Sequence, residues 1–210
     1  MKIKVHPMAK RRNAEDSLKS RILEAALPDV AFDGWSDDLL ARAAQRLKAD
    51  EDDVHAAFPA GAIGLVRYFS EWADEEMLKK LTPRLLSTLK VREKITLGVR
   101  TRLENLTPHR TACSSALAFL ALPPRNIYLP KMVWRTADVI WRAAGDTATD
   151  YNHYTKRLLL SGVLTSTTLY WLNDKSDGCE NTWKFLDRRI EEVLKVGQKI
   201  SSFKKKREQA

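Results

Sequence analysis

Apolar residues recur along the chain at intervals of three and four, and no alternation of period two persists anywhere. That spacing is helical. Leu18, Ile22, Leu23, Ala26 and Leu27 mark a first helix that ends around Pro28 and Gly34. Ser36 before Asp37 and Asp38 supplies a capping hydroxyl and two acids facing the dipole of a second helix, "DDLLARAAQRLK". Four acids, Asp50, Glu51, Asp52 and Asp53, then open a short third helix closed by Phe58-Pro59.

Longer helices follow. One runs from about Ala60 to Leu81, and Pro83 opens the next, at a position proline tolerates, which reaches Leu106. "TPHRTACSSALAFLALPP" gives another, bounded by Pro108 and by Pro123-Pro124. "LPKMVWRTADVIWRAAG" comes after it, with Gly145 as its stop. Thr149 to about Asn173 forms the next, and Asp177-Gly178 separates it from the last. That last helix places Trp183, Leu186, Ile190, Val193, Leu194 and Gly197 on one face opposite a charged one. The expected architecture is all-α with about nine helices, three short ones first and six longer ones after. The expected division is a flexible basic N-terminus at 1–14, a small three-helix domain at 15–59, a larger helical domain at 60–200, and a basic tail at 201–210 that frays.

Composition supports this reading. The chain has 210 residues with eight glycines and eight prolines, 44% hydrophobic and 30% charged, which suits a folded helical chain better than a disordered one. The longest uncharged run, "LLLSGVLTSTTLYWLN" (Leu158–Asn173), is shorter than a spanning helix requires and holds five Ser/Thr residues. It reads as a helix buried in a core or a subunit interface. The two cysteines, Cys113 and Cys179, form no CxxC and no framework of spacings, so a reducing compartment is expected. No apolar stretch of signal-peptide type stands near the N-terminus.

A net charge of +9 raises the question of an anionic partner, and its distribution decides more than its total. Residues 1–21 and residues 184–210 each carry +5, whereas residues 29–53 carry −5.

That acidic stretch matters because "RILEAALPDVAFDGWSDDLLARAAQRLKADEDDVHAAFP" resembles a TetR-type helix-turn-helix unit. Such a unit lays a helix N-terminus against bases in the major groove while Lys and Arg hold the phosphates. Here the would-be reading helix opens with four carboxylates, which the phosphate backbone repels. No DNA partner is expected, and the acids read as capping.

Four later segments, "VRTRLENLTPH", "ALAFLALPPRNI", "MVWRTADVIWRAAGDTATDYNHYTKRLLLSGV" and "ENTWKFLDRRIEEVLKVG", resemble the ubiquinone-biosynthesis accessory family known as coenzyme Q biosynthesis protein nine. The resemblance spans about residues 18–200, and "AGDTATDYNHYTKR" is its most specific part. It implies a TetR-like fold without DNA binding, commonly a homodimer. It also implies a non-catalytic protein that binds an isoprenoid quinone lipid and delivers it to the di-iron demethoxyubiquinone hydroxylase. A TetR-type regulator sensing a hydrophobic ligand is the alternative.

The partner-docking patch that the resemblance implies maps to Ile140, Asp150, His153 and Tyr154, and helical spacing adds Arg157. Asp150, His153, Tyr154 and Arg157 also follow the i, i+3, i+4, i+7 spacing of one helix face. His153 stands where family members often carry Trp, so it offers less apolar anchoring area. Leu117, Leu120, Trp134 and Trp141 are candidates for lining a lipid cavity, being apolar positions on helical faces of the matched region.

Familiar members continue into a membrane-binding amphipathic helix, whereas here Phe203, Lys204, Lys205, Lys206 and Arg207 close the chain. A basic cluster beside one aromatic reads either as a contact to anionic headgroups or as a solubilising tail. The expected location is the cytoplasm peripheral to a bacterial inner membrane, or the matrix side if organellar.

His6, His55, His109 and His153 lie in separate segments without the spacing of metal ligands, and no Glu-x-x-His pair, P-loop or GxSxG occurs. Cys113 sits in an apolar helix and reads as a buried structural thiol. No cofactor is expected, and a di-iron site belongs to the partner.

Overall fold

The computed structural model describes the backbone of residues 7–149 and 151–208, and side chains over 15–149 and 152–195. Among these residues every regular element is helical. In order they are α1 (Pro7–Ala26), α2 (Val30–Asp33), α3 (Asp37–Arg46), α4 (Glu51–Ala57), α5 (Gly61–Lys80), α6 (Pro83–Ser87), α7 (Val91–Leu106), α8 (Arg110–Ala121), α9 (Tyr128–Ala143), α10 (Tyr151–Asn173) and α11 (Glu180–Glu208). None is long and apolar enough to cross a membrane.

The caps act as the sequence suggests. Ser36 Oγ accepts from the Leu39 N–H, and Asp50 Oδ1 accepts from the N–H groups of Asp52 and Asp53. The α5 start is capped across space instead, where Asp37 Oδ1 accepts from the Ala62 N–H at 2.7 Å. Gly61 there has φ +55, and a Cβ on it would stand 2.2 Å from that same Asp37 oxygen. Only glycine fits.

Eleven α-helices stand among the described residues where about nine are expected, for two local reasons. A single turn, α2, forms between the first two expected helices. The expected helix from Pro83 to Leu106 divides into α6 and α7. At the break, Ser87 Oγ and Thr88 Oγ1 donate to the carbonyls of Arg84 and Leu85, and the Lys90 N–H donates to Glu93 Oε2, restarting the helix at Val91. At the two ends, α1 begins at Pro7 and α11 continues to Glu208.

The chain forms two compact units, Met1–Ala73 with Pro108–Leu129, and Asp74–Thr107 with Pro130–Ala210. In the first, α1 packs on α3 and α4, and α2 packs on α8. Ile22, Leu23, Leu39, Leu65 and Val66 make its core. Trp35 is buried with its ring 5.3 Å from Phe69, and its Nε1–H donates to Ala112 O at 3.1 Å. Cys113 is buried in this unit and is not part of a disulfide.

In the second unit α7, α10 and α11 pack together. Leu103, Leu160, Val163, Trp171, Leu186 and Ile190 are buried. α7 meets α9 at Gly98, where a Cβ would lie 3.0 Å from Ile140 Cγ2. Two buried carboxylates tie elements together. Asp74 binds Arg102, Arg135 and Thr136 at 2.8–3.1 Å. Asp174 accepts from the N–H and Oγ1–H of Thr182 and from both groups of Ser176. Burial alone would raise the Asp174 carboxyl, but these bonds outweigh it and hold it well below the ordinary carboxylate range.

Candidate functional site

The stretch Ala144–Arg157 connects α9 to α10. Ala144 and Gly145 close α9, their N–H groups donating to Ile140 O and Arg142 O, with Gly145 at φ +92. The chain then turns through Asp146 and enters α10 at Tyr151.

The guanidinium of Arg157 holds the turn from inside. Its Nε–H donates to Asp138 Oδ1 at 2.7 Å on α9, and one terminal nitrogen donates to Asp146 Oδ2 at 2.8 Å and to His153 O at 3.2 Å. Lys156 Nζ takes the other Asp146 oxygen at 2.5 Å, and Arg142 takes the other Asp138 oxygen at 2.7 Å. The Arg157 side chain is 1% exposed and that of Asp146 6%. Burial opposes both charges, yet the paired hydrogen bonds prevail. They hold the Asp146 carboxyl below its ordinary range and the Arg157 guanidinium above its own.

This cluster fixes what the helix start presents. His153 Nδ1 lies 2.9 Å from Ala148 O, so that nitrogen carries the proton and donates. The His153 ring meets Tyr154 edge-on at 5.2 Å, and Tyr154 leans on Trp134 of α9 at 6.3 Å. Tyr154 is 62% exposed and Leu158, one turn on, is 66% exposed. Trp141 backs the arrangement, its Nε1–H donating to Lys156 O at 3.0 Å while the Lys156 ammonium stands over its ring.

The residues singled out from sequence therefore separate by depth. Tyr154 and half-buried His153 reach the surface, whereas Ile140 and Arg157 are each 1% exposed. Those two reach a partner only through what they hold in place. Asp150 lies outside the described residues. The side chains of Phe203, Lys204, Lys205, Lys206 and Arg207 do too, although their backbone continues α11. Leu120 is buried and Leu117 half-buried in the first unit. Trp134 and Trp141 are half-buried in the second, each engaged with α10. Asp138, Asp146 and Lys156 were not singled out from the sequence. The one local sign was Asp138 with Arg142 at i, i+4.

The outer face of α10 beyond Leu158 carries no charge. Gly162, Thr165 and Leu169 are exposed along it, and a Cβ on Gly162 would meet nothing. The opposite face is core. Among the described residues, no group of three or more His, Cys, Asp or Glu is placed to hold a metal ion.

Residues 128–197 match the sequence profile of the COQ9 family. The chain is 32% identical over 194 residues to the mitochondrial ubiquinone biosynthesis protein COQ9 of Drosophila melanogaster, covering 89% of this chain and 58% of that protein. It is 35% identical over 199 residues to the Xenopus tropicalis protein of the same name, covering 89% and 61%. Against the Homo sapiens protein identity is 29% over 198 residues, covering 91% and 62%. The chain thus spans about three fifths of the length of these relatives. In fold it is similar to a TetR transcriptional regulator from Nitrosomonas europaea, with a TM-score of 0.66, 20% identity, and coverage of 85% of this chain and 98% of that one.

Proposed function

The chain belongs to the COQ9 family and has a TetR-like all-α fold, and from that premise we propose that it is a non-catalytic accessory protein of ubiquinone biosynthesis. It binds an isoprenoid quinone intermediate and presents it to the di-iron demethoxyubiquinone hydroxylase, which docks at the α9–α10 turn. The observation that carries this reading is Tyr154, exposed in the first turn of α10, which a buried ion cluster ties to α9. A large aromatic held by its neighbours loses little freedom on binding, and such residues anchor interfaces.

Two features support a homodimer built along α10. Its outer face is uncharged from Leu158 to Asn173, and exposed Leu158 and Leu169 leave apolar area uncovered in a single chain. The quinone tail calls for apolar lining, for which the candidates are Leu117 and Leu120 in the first unit and, separately, Trp134 and Trp141 in the second. Peripheral membrane contact through the basic end of α11 fits the same role, because an isoprenoid quinone is itself a lipid.

The alternative, a ligand-sensing transcriptional regulator, is disfavoured by Asp50, Glu51, Asp52 and Asp53 at the start of α4. These acids face the helix dipole, and Asp50 caps the helix, where phosphates would have to approach. Association of the purified hydroxylase with the wild-type chain, and its loss with Tyr154→Ala, is the test. Equal association of both proteins removes the patch.

A further inference from the structure

Tyr154, Leu158, Gly162, Thr165 and Leu169 are all exposed on α10, the tyrosine and both leucines by half or more. At 3.6 residues per turn they fall within a sector of about 80° and run about 22 Å along the helix axis. Leu160, Val163, Leu164, Thr167 and Trp171 form the buried side of the same helix. The charged residues of α10 are Lys156 and Arg157, off the stripe by spacing and both bound to Asp146. No charge therefore interrupts the stripe, and nothing separates its Tyr154 end from its Leu169 end.

Two uses of this helix are proposed above. The hydroxylase docks around Tyr154, and a second copy covers the face from Leu158 onward. A twofold seam is self-complementary about its centre. Leu158 and Leu169 stand equally far from the midpoint between Val163 and Leu164, and so do Gly162 and Thr165. That midpoint is about 14 Å along the axis from Tyr154. A stable protein–protein contact covers about 800 Å² on each partner, which is a disc of about 16 Å radius. Discs whose centres lie that close overlap, and Leu158, one turn from Tyr154, falls inside both.

We propose that a second copy and the hydroxylase exclude one another on α10. The free dimer masks its own docking patch, and a chain docked on the hydroxylase is released from the dimer. This deepens the role given above and rests on its two parts, the Tyr154 patch and the α10 seam. It also gives the exposed Tyr154 and Leu158 a cover when the hydroxylase is absent. Only the dissociated chain is competent to dock, so its apparent affinity falls in proportion to the dissociated fraction. Reciprocally, the hydroxylase draws the dimer apart.

The test titrates fluorescently labelled hydroxylase with the full chain, whose dimer content at each concentration is set by light scattering. The comparison variants are Leu169→Lys and Thr165→Lys, about 22 Å and about 17 Å along the axis from Tyr154. Both positions are exposed, and circular dichroism melting checks that each variant keeps the fold. Both variants are expected as monomers. Where about nine tenths of the wild type is dimer, they bind the hydroxylase about tenfold more tightly than wild type does. Equal affinity of dimeric wild type and monomeric variants overturns the proposal, since the patch is then open in the dimer. Weaker binding by the monomers overturns it too, because the second copy then builds part of the docking surface. Wild-type mass for both variants removes the seam and the exclusion with it. Failure of the docking reading looks different: association is absent in every form, or Tyr154→Ala leaves it unchanged, and the exclusion falls with it.

Discussion

Arg157 and Asp146 form an ion pair at 2.8 Å with side chains 1% and 6% exposed, directly beneath the residues that α10 presents to solvent. A buried pair contributes little to net stability when intact, yet removing one member strands the other charge. Arg157 is also bound to Asp138, and Asp146 to Lys156, so the pair closes a network joining α9, the turn and α10.

Asp146→Ala leaves the buried guanidinium with Asp138 as its one carboxylate partner and destabilises the protein by about 3 kcal/mol, read as a lower midpoint in urea denaturation. Asp138→Ala costs less, since the Asp138 side chain is 22% exposed and Arg157 keeps Asp146. Equal costs for the two variants would contradict the assignment of Asp146 as the main partner.

The same network predicts a pH dependence. Asp146 is held below its ordinary value of 3.8, so the unfolded chain takes up its proton first as acid is added. Its stabilisation is complete above that value and is lost as pH falls through the lower folded one. Asp174, lowered by its bonds to Thr182 and Ser176, behaves the same way. Denaturation midpoints measured below about pH 4 should fall more steeply in wild type than in Asp146→Asn.

His109 works at milder pH. Burial beside Phe69 and Trp72 lowers its pKa from 6.5, so the folded state favours the neutral ring. The contribution is fully present above that value and declines as the solution is acidified toward the folded one. Wild type therefore loses stability as the pH falls below the ordinary value of 6.5, and His109→Phe flattens that part of the curve.

Gly98 and Ile140 predict a coupled pair. A Cβ at Gly98 lies 3.0 Å from Ile140 Cγ2, so Gly98→Ala overpacks the α7–α9 contact and costs about 1–2 kcal/mol. Combined with Ile140→Ala, which removes the opposing Cγ2 and Cγ1, the total penalty should be smaller than the sum of the single changes. Strict additivity would show that the contact relaxes without resistance.

Leu169→Lys places a charge on the exposed uncharged face of α10. If that face is a dimer seam, light scattering on a size-exclusion column shows a shift from dimer to monomer, while the melting of helix by circular dichroism begins from an unchanged spectrum. Retention of the wild-type mass removes α10 as the seam.

The local devices of the fold were legible in the sequence. Ser36 and Asp50 cap, Pro83 opens α6, and Gly145 lies just past the end of α9, because each acts within a few residues of itself. The break between α6 and α7 was not legible, since Ser87, Thr88 and Glu93 interrupt the ladder without disturbing the apolar period. At the site, spacing put Tyr154 and Arg157 on one broad face, but a face has two edges. One edge is open to solvent and the other is closed by Asp138 and Asp146. Those partners come from α9 and the turn, and no periodicity within α10 reveals them.

The central claim concerns cargo. Mass spectrometry of lipids extracted from the chain, purified from cells that make ubiquinone, tests it most directly. An isoprenoid quinone intermediate enriched well above its share of the membrane lipids is the predicted result. Recovery of membrane phospholipids in bulk proportion, or of no lipid, would contradict it.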